Sequence, residues 1–167
     1  MKSVGALLSN LEIPAKSWPD SLPVHEARDR FLAAIGFSLA DYSAPAYTVK
    51  LWRLPLRFPN TKAHQWATPL HDLHHILTGY KTDWIGEAEV AAWELRAGCR
   101  TLDVYLLDIS GALIGLFISP ARVWRAFRAA KNHRTLYRNP ALSTSVLQMT
   151  LGEVRAQLGI PPGGIAT

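Results

Sequence analysis

The chain has 167 residues, enough for one domain of ordinary size with a real hydrophobic core. Charged residues make up 19%, below the roughly 25% typical of soluble domains, and a net charge of +5 is too mild a bias to argue for nucleic acid. Cys99 is the only cysteine, which excludes an intrachain disulfide and suits a reducing compartment.

The opening MKSVGALLSN carries one lysine and a very short apolar run, so it makes no convincing leader, and a cytoplasmic location is expected. Val24, Phe31, Leu32 and Ile35 fall near helical spacing, with Arg28 at the edge of the stripe. The spacing predicts a helix over 22–40, capped by Asp20 or Ser21, with Pro23 in its first turn. Residues 41–68 hold Pro45, Pro55, Pro59 and Asn60 without a sustained period, and read as a long ordered loop or one with short extended pieces. A helix over 69–77 follows, with Thr68 as cap and Pro69 at its first position, ended by Gly79. A second, alanine-rich helix spans 84–98 and stops at Gly98.

Within the apolar segment 102–118, YLLDISGALIGLFI at 105–118 is the most hydrophobic stretch in the chain, too short for the roughly 20 residues of a membrane span and interrupted by Asp108. It reads as a buried helix. A basic helix over 120–132 and a last helix over 143–158 complete the set, and the tail GIPPGGIAT reads as a frayed end. The expectation is a mainly α, single-domain helical bundle over 1–167, with irregular ends at 1–20 and 159–167. On the basic helix, Arg122, Arg125, Arg128, Lys131 and Arg134 are spread around the axis. A solvated helix packed by its apolar side is the first reading; docking on an anionic membrane is the second. The greasy composition fits an apolar ligand, a membrane surface or a homo-oligomer.

Chemistry concentrates in HDLHHILTGYKTDWIGE, residues 71–87. At about 100° per helical residue, His71 and His75 stand about 40° apart, with Asp72 about 60° beyond His75. His74 falls on the other side of His71. A chain reversal at Gly79 would return the next helix antiparallel and bring Glu87 to the same face. Two histidines at i and i+4 with a carboxylate can bind one ion and leave positions open to water or substrate. Glu94 lies two turns beyond Glu87, about 10.5 Å along the axis, too far to share a compact shell with it. It is the candidate catalytic residue, set to orient a ligand histidine or to touch substrate. Glu89 points elsewhere and reads as solvated. By spacing alone, the cluster serves equally well as a metal site or as a polar patch of capping and carboxylate-paired histidines.

HDLHH, eleven intervening residues and Glu87 together resemble the signature of the Coq-four family of coenzyme Q (ubiquinone) biosynthesis proteins. Gly79, Thr82, Gly86, Trp93 and Glu94 look like the same pattern, as does GEVRAQLGIPP at 152–162. The resemblance implies that His71, Asp72, His75 and Glu87 bind a divalent metal; a His/carboxylate set with open positions suits zinc or iron first, magnesium or manganese otherwise. It also implies a mainly helical fold, peripheral contact with the inner membrane face, quinone-biosynthesis enzymes as partners, and an isoprenoid quinone precursor or other prenyl lipid as ligand. The implied activity is oxidative exchange of carboxyl for hydroxyl on a prenylated 4-hydroxybenzoate. The chain departs from the pattern at Ala91, where a lysine is expected, and in the segment before the motif.

An apolar slot for a prenyl tail is expected from 102–118 with Trp52, Phe58 and Trp66, although such residues can equally fill a core. Two rival functions stand beside the first: a non-catalytic lipid-binding or scaffold protein, and a metal-dependent hydrolase with Glu94 as base.

Overall fold

A computed structural model describes residues 18–51 and 54–166. The fold is mainly α, as the periodicity predicts, and the helices that matter for the site are capped at their starts and ended by glycine. Helix α1 (Val24–Ile35) ends earlier than the apolar spacing suggests, because Gly36 turns left-handed (φ 71°) and closes its last turn. The residue before it is Pro23, not Asp20 or Ser21. Asp20 serves another purpose. Its carboxylate takes a 2.6 Å bond from Arg155, whose guanidinium is buried and also donates to the carbonyls of Trp18, Leu77 and Ile76.

Of the two readings of 41–68, the one with short extended pieces holds: a short 3-10 turn (Leu39–Ser43) leads into a hairpin, but the segment ends in the first turns of a helix that neither reading contained. Strands β1 (Ala46–Leu51) and β2 (Leu54–Pro59) pair antiparallel, with Ala46 opposite Pro59 and Leu51 opposite Leu54. A two-stranded ribbon has only edges, so Pro55 and Pro59 cost it no central ladder bond. Trp52 of the expected apolar slot lies outside the described residues; Phe58 stacks on Tyr47, and Trp66 packs against Tyr137.

Helix α2 (Lys62–Thr78) starts at Thr61, whose hydroxyl accepts the His64 N–H, well before the expected start at 69. Pro69 therefore sits inside the helix. Thr68 is no cap; its hydroxyl donates to the carbonyl of His64 one turn back. Gly79 (φ 82°) ends α2, and α3 (Trp84–Ala97) begins at Asp83, whose carboxylate accepts the Gly86 N–H. Helix α3 is the centre of the protein, with Ala88, Val90, Ala91, Ala92 and Trp93 all buried.

Helix α4 (Leu102–Ile118) lies against α3 where both carry small residues. A Cβ at Gly115 would meet the Cβ of Ala88 at 2.2 Å, and one at Gly111 would touch Ala91 at 3.4 Å. The expectation that α4 is buried fails. Only Val104, Asp108, Ala112 and Gly115 are buried, while Leu102 is 72% and Phe117 90% exposed. Its apolar residues run all round the helix, but α3 and α5 cover only one side of it.

Helix α5 (Pro120–Ala129) follows at once, and a 3-10 turn (Ala130–Asn132) completes the basic segment. The last expected helix is broken into α6 (Pro140–Ser145), a 3-10 turn (Val146–Gln148) and α7 (Leu151–Leu158), the last opened by a capping box of Thr150 and Glu153. As far as residue 166 the tail is not frayed. The N–H groups of Ile165 and Ala166 both donate to the carbonyl of Thr78, at the end of α2, and Ile160 is buried. Among the described residues no helix is long and apolar enough to cross a membrane.

Candidate metal centre

The reversal at Gly79 lays α3 beside α2 and brings three ligand atoms together. His75 Nε2 is 3.2 Å from His71 Nε2, Glu87 Oε2 is 3.2 Å from His71 Nε2, and Glu87 Oε2 is 3.4 Å from His75 Nε2. Three donors sharing one tetrahedral zinc-like ion at about 2.0–2.1 Å stand about 3.3–3.4 Å from each other. His71, His75 and Glu87 are thus positioned to hold a metal ion.

The tautomers agree with the spacing. His75 Nδ1 lies 3.1 Å from the carbonyl of Tyr80, which can only accept, so that nitrogen carries the proton and Nε2 presents its lone pair. His71 Nδ1 donates to Glu94 Oε1 at 3.0 Å, which again leaves Nε2 as the lone-pair side. Two imidazole lone pairs and a carboxylate oxygen then face a common point. Such a set repels itself unless a cation, or a proton on one ring, stands between them. Burial works against charge on His71, but the Glu94 and Glu87 carboxylates outweigh it and hold its pKa well above the usual histidine value. Burial likewise raises the Glu87 carboxyl, and the charges and hydrogen bonds of His75 and His71 overcome it, so Glu87 stays ionised. The open side of the site is theirs: His71 keeps 25% and Glu87 37% of its side chain exposed, against 1% for His75.

Glu94 stands behind His71, fully buried. Its Oε1 takes N–H groups from His71 and, at 2.5 Å, from His74, and the Tyr137 hydroxyl at 3.3 Å. This is the arrangement in which a carboxylate fixes the ring orientation of a ligand histidine. Of the two roles read from the sequence, orientation is the one this geometry serves. Glu94 Oε2 is buried without a hydrogen-bond partner. Asp108 is near enough to supply one, since His71, Glu94 and Asp108 form a second group with one ligand atom each within 4.8 Å of the others. Burial first, and the Glu94 charge second, push the Asp108 carboxyl up to about 8. Below that pH it carries an O–H to offer, while its Oδ2 accepts from Cys99 Sγ at 3.0 Å.

Asp72, the fourth residue implied as a ligand, stands outside the converging group. Its angle on α2 turns it towards the 3-10 turn, where Tyr42 donates to Oδ2 at 2.6 Å. His74 is buried and structural: Nε2 accepts the Leu136 N–H at 3.0 Å, so Nδ1 must be its protonated nitrogen. Glu89, expected to be solvated, is buried and held by Arg122 through two bonds of 2.9 and 2.6 Å. Helix α3 is buried on nearly every side and has no solvent face for it. Sequence reasoning missed Asp108 and Tyr137. The signal for Asp108 was present, as a lone acid inside an apolar run rarely survives burial without a polar neighbour.

The chain matches no protein-family model, no curated protein and no solved structure.

Proposed function

We propose that the protein is a divalent-metal protein of isoprenoid-quinone biosynthesis, acting on the head group of a prenylated hydroxybenzoate by oxidative decarboxylation. The observation that carries the metal half is the triangle of two Nε2 lone pairs and Glu87 Oε2, with separations of 3.2–3.4 Å. What supports the pathway half is the motif HDLHH with Glu87 twelve positions after His75, which resembles the Coq-four pattern.

Histidines 71 and 75 and Glu87 would hold the ion, and Asp72 is near enough in the chain to join them if Tyr42 releases it. A divalent ion there supplies a Lewis acid and a template for the carboxylate and phenol oxygens of the head group. The chain's own residues do the rest. Glu94 and the Tyr80 carbonyl keep the two rings turned with Nε2 outward, and the exposed flank of His71 and Glu87 leaves the approach open. Loss of the carboxyl as carbon dioxide with gain of a hydroxyl from water releases two electrons and two protons, which dioxygen would take up to leave as hydrogen peroxide.

Elemental analysis of protein purified without added metal tests the site. About one divalent ion per chain is expected in the wild type, with loss in both His71→Ala and Glu87→Ala. Equal metal in all three removes the centre. With the metal established, turnover of a prenylated 4-hydroxybenzoate that disappears in His75→Ala supports the enzyme. Bound prenyl lipid without turnover moves the reading to a non-catalytic lipid-binding or scaffold protein.

A further inference from the structure

The sequence directs attention to α5 as the segment that would meet a membrane. The structure moves that role one helix back. Leu102, Leu106, Leu113, Ile114, Phe117 and Ile118 of α4 are all between 44% and 90% exposed. At about 100° per residue, the exposed positions of α4 from Leu116 round to Ile118 cover roughly 200° of the helix. Within that arc, Ser110 and Asp103 are the polar residues, and Asp103 lies in the first turn, at the end away from α5.

We propose that α4 is the lipid-embedded element of the protein, lying in the plane of an anionic bilayer with its outer arc among the acyl chains and the cations of α5 at the headgroups. Two features select a bilayer over a second copy of the chain. A partner helix covers a stripe of about 100°, so an apolar ridge twice that wide is left half bare in a helix pair, whereas a fluid lipid phase closes around a convex ridge. The exposed charge on the helix that follows the ridge also has one sign. Arg125, Arg128 and Lys131 are exposed, α5 and the turn after it carry no acid, and Trp124 (58% exposed) sits on the same face as Arg128, four residues on. Tryptophan beside cations at the end of an apolar helix is the composition of a membrane–water boundary. Arg122 is excluded from this set, since Glu89 already neutralises it. With 17 residues, α4 is too short to cross and lies flat.

Co-sedimentation of the full chain with vesicles of phosphatidylcholine, with and without phosphatidylserine, tests the inference independently of any metal. The wild type should pellet with the serine-containing vesicles and be released by salt. The double variant Leu113→Asp/Phe117→Asp should bind at least tenfold more weakly, with an unchanged helical circular dichroism spectrum and unchanged metal content. Arg125→Glu/Arg128→Glu should lose the preference for anionic lipid. The milder Phe117→Ser, if the double variant misfolds, should weaken binding in the same direction. Wild type left in the supernatant with both vesicles overturns the proposal. So does binding at the wild-type level by Phe117→Ser and by a folded Leu113→Asp/Phe117→Asp. A wild-type dimer in sedimentation velocity that Phe117→Ser dissociates, without vesicle binding, assigns the face to a second copy and likewise overturns it.

Discussion

The interior between α2, α3 and α4 and the outer face of α4 invert the usual rule in opposite senses. Inside, His71, His74, Glu94, Asp108 and Tyr137 are polar and mostly buried, and almost every donor and acceptor meets a named partner. Outside, a longer row of leucine, isoleucine and phenylalanine stays largely exposed among the described residues. The two regions share a helix. Asp108 points from α4 into the polar network while Ile109, its neighbour, points away from the protein. The lesson is that burial of polar groups is sustained locally, by partners, whereas exposure of apolar groups is compensated only by something beyond the chain.

That contrast can be broken at three places. Glu94→Ala should do the greatest damage, because it strands three donors in a dry site. A loss of about 3–5 kcal/mol is expected, which lowers the melting midpoint by about 10 °C in a protein of this size. Thermal unfolding followed by circular dichroism reads it, and an unshifted midpoint would show that Glu94 is not the hub of that network. Gly115→Val tests the seam between the two regions. The added Cβ has the Ala88 Cβ at 2.2 Å and Val123 Cγ2 at 2.9 Å, so the helices must part. Overpacking of this kind costs about 1–3 kcal/mol, and Ala88→Gly in the same chain should return part of it. A Gly115→Val protein as stable as wild type would contradict the close approach of α3 and α4. The smallest effect should come from Leu106→Ser on the outer face. Stability in urea should change by no more than about 0.5 kcal/mol, since that side chain buries little. A loss several times larger would mean that α4 is covered in solution.

The α2–turn–α3 unit was readable because helix periodicity, a left-handed glycine and the His/Glu spacing all describe local geometry. The convergence of His71, His75 and Glu87 follows from it. What the sequence could not convey was which neighbours each helix would have. An all-round apolar run looks the same whether it is wrapped by protein or left at the edge, so α4 read as core. Glu89 read as solvated because its own helix says nothing of Arg122 on α5. Pro69 looks like a helix start because proline favours that position; yet Thr61, one hairpin end away, offers a better cap and the helix tolerates the missing N–H in its middle. The break at 146–150 has its own local stop, but the antiparallel bridge of Thr150 with Pro23, which fixes α7 under α1, is a long-range event.

The glycine–alanine contact between α4 and α3 also sets a distance. Helices that meet through such small side chains run at the near end of the usual 8–10 Å axial spacing. A surface that gripped the far side of α4 would therefore hold Glu87, next in the chain to Ala88, little more than one helix thickness above it.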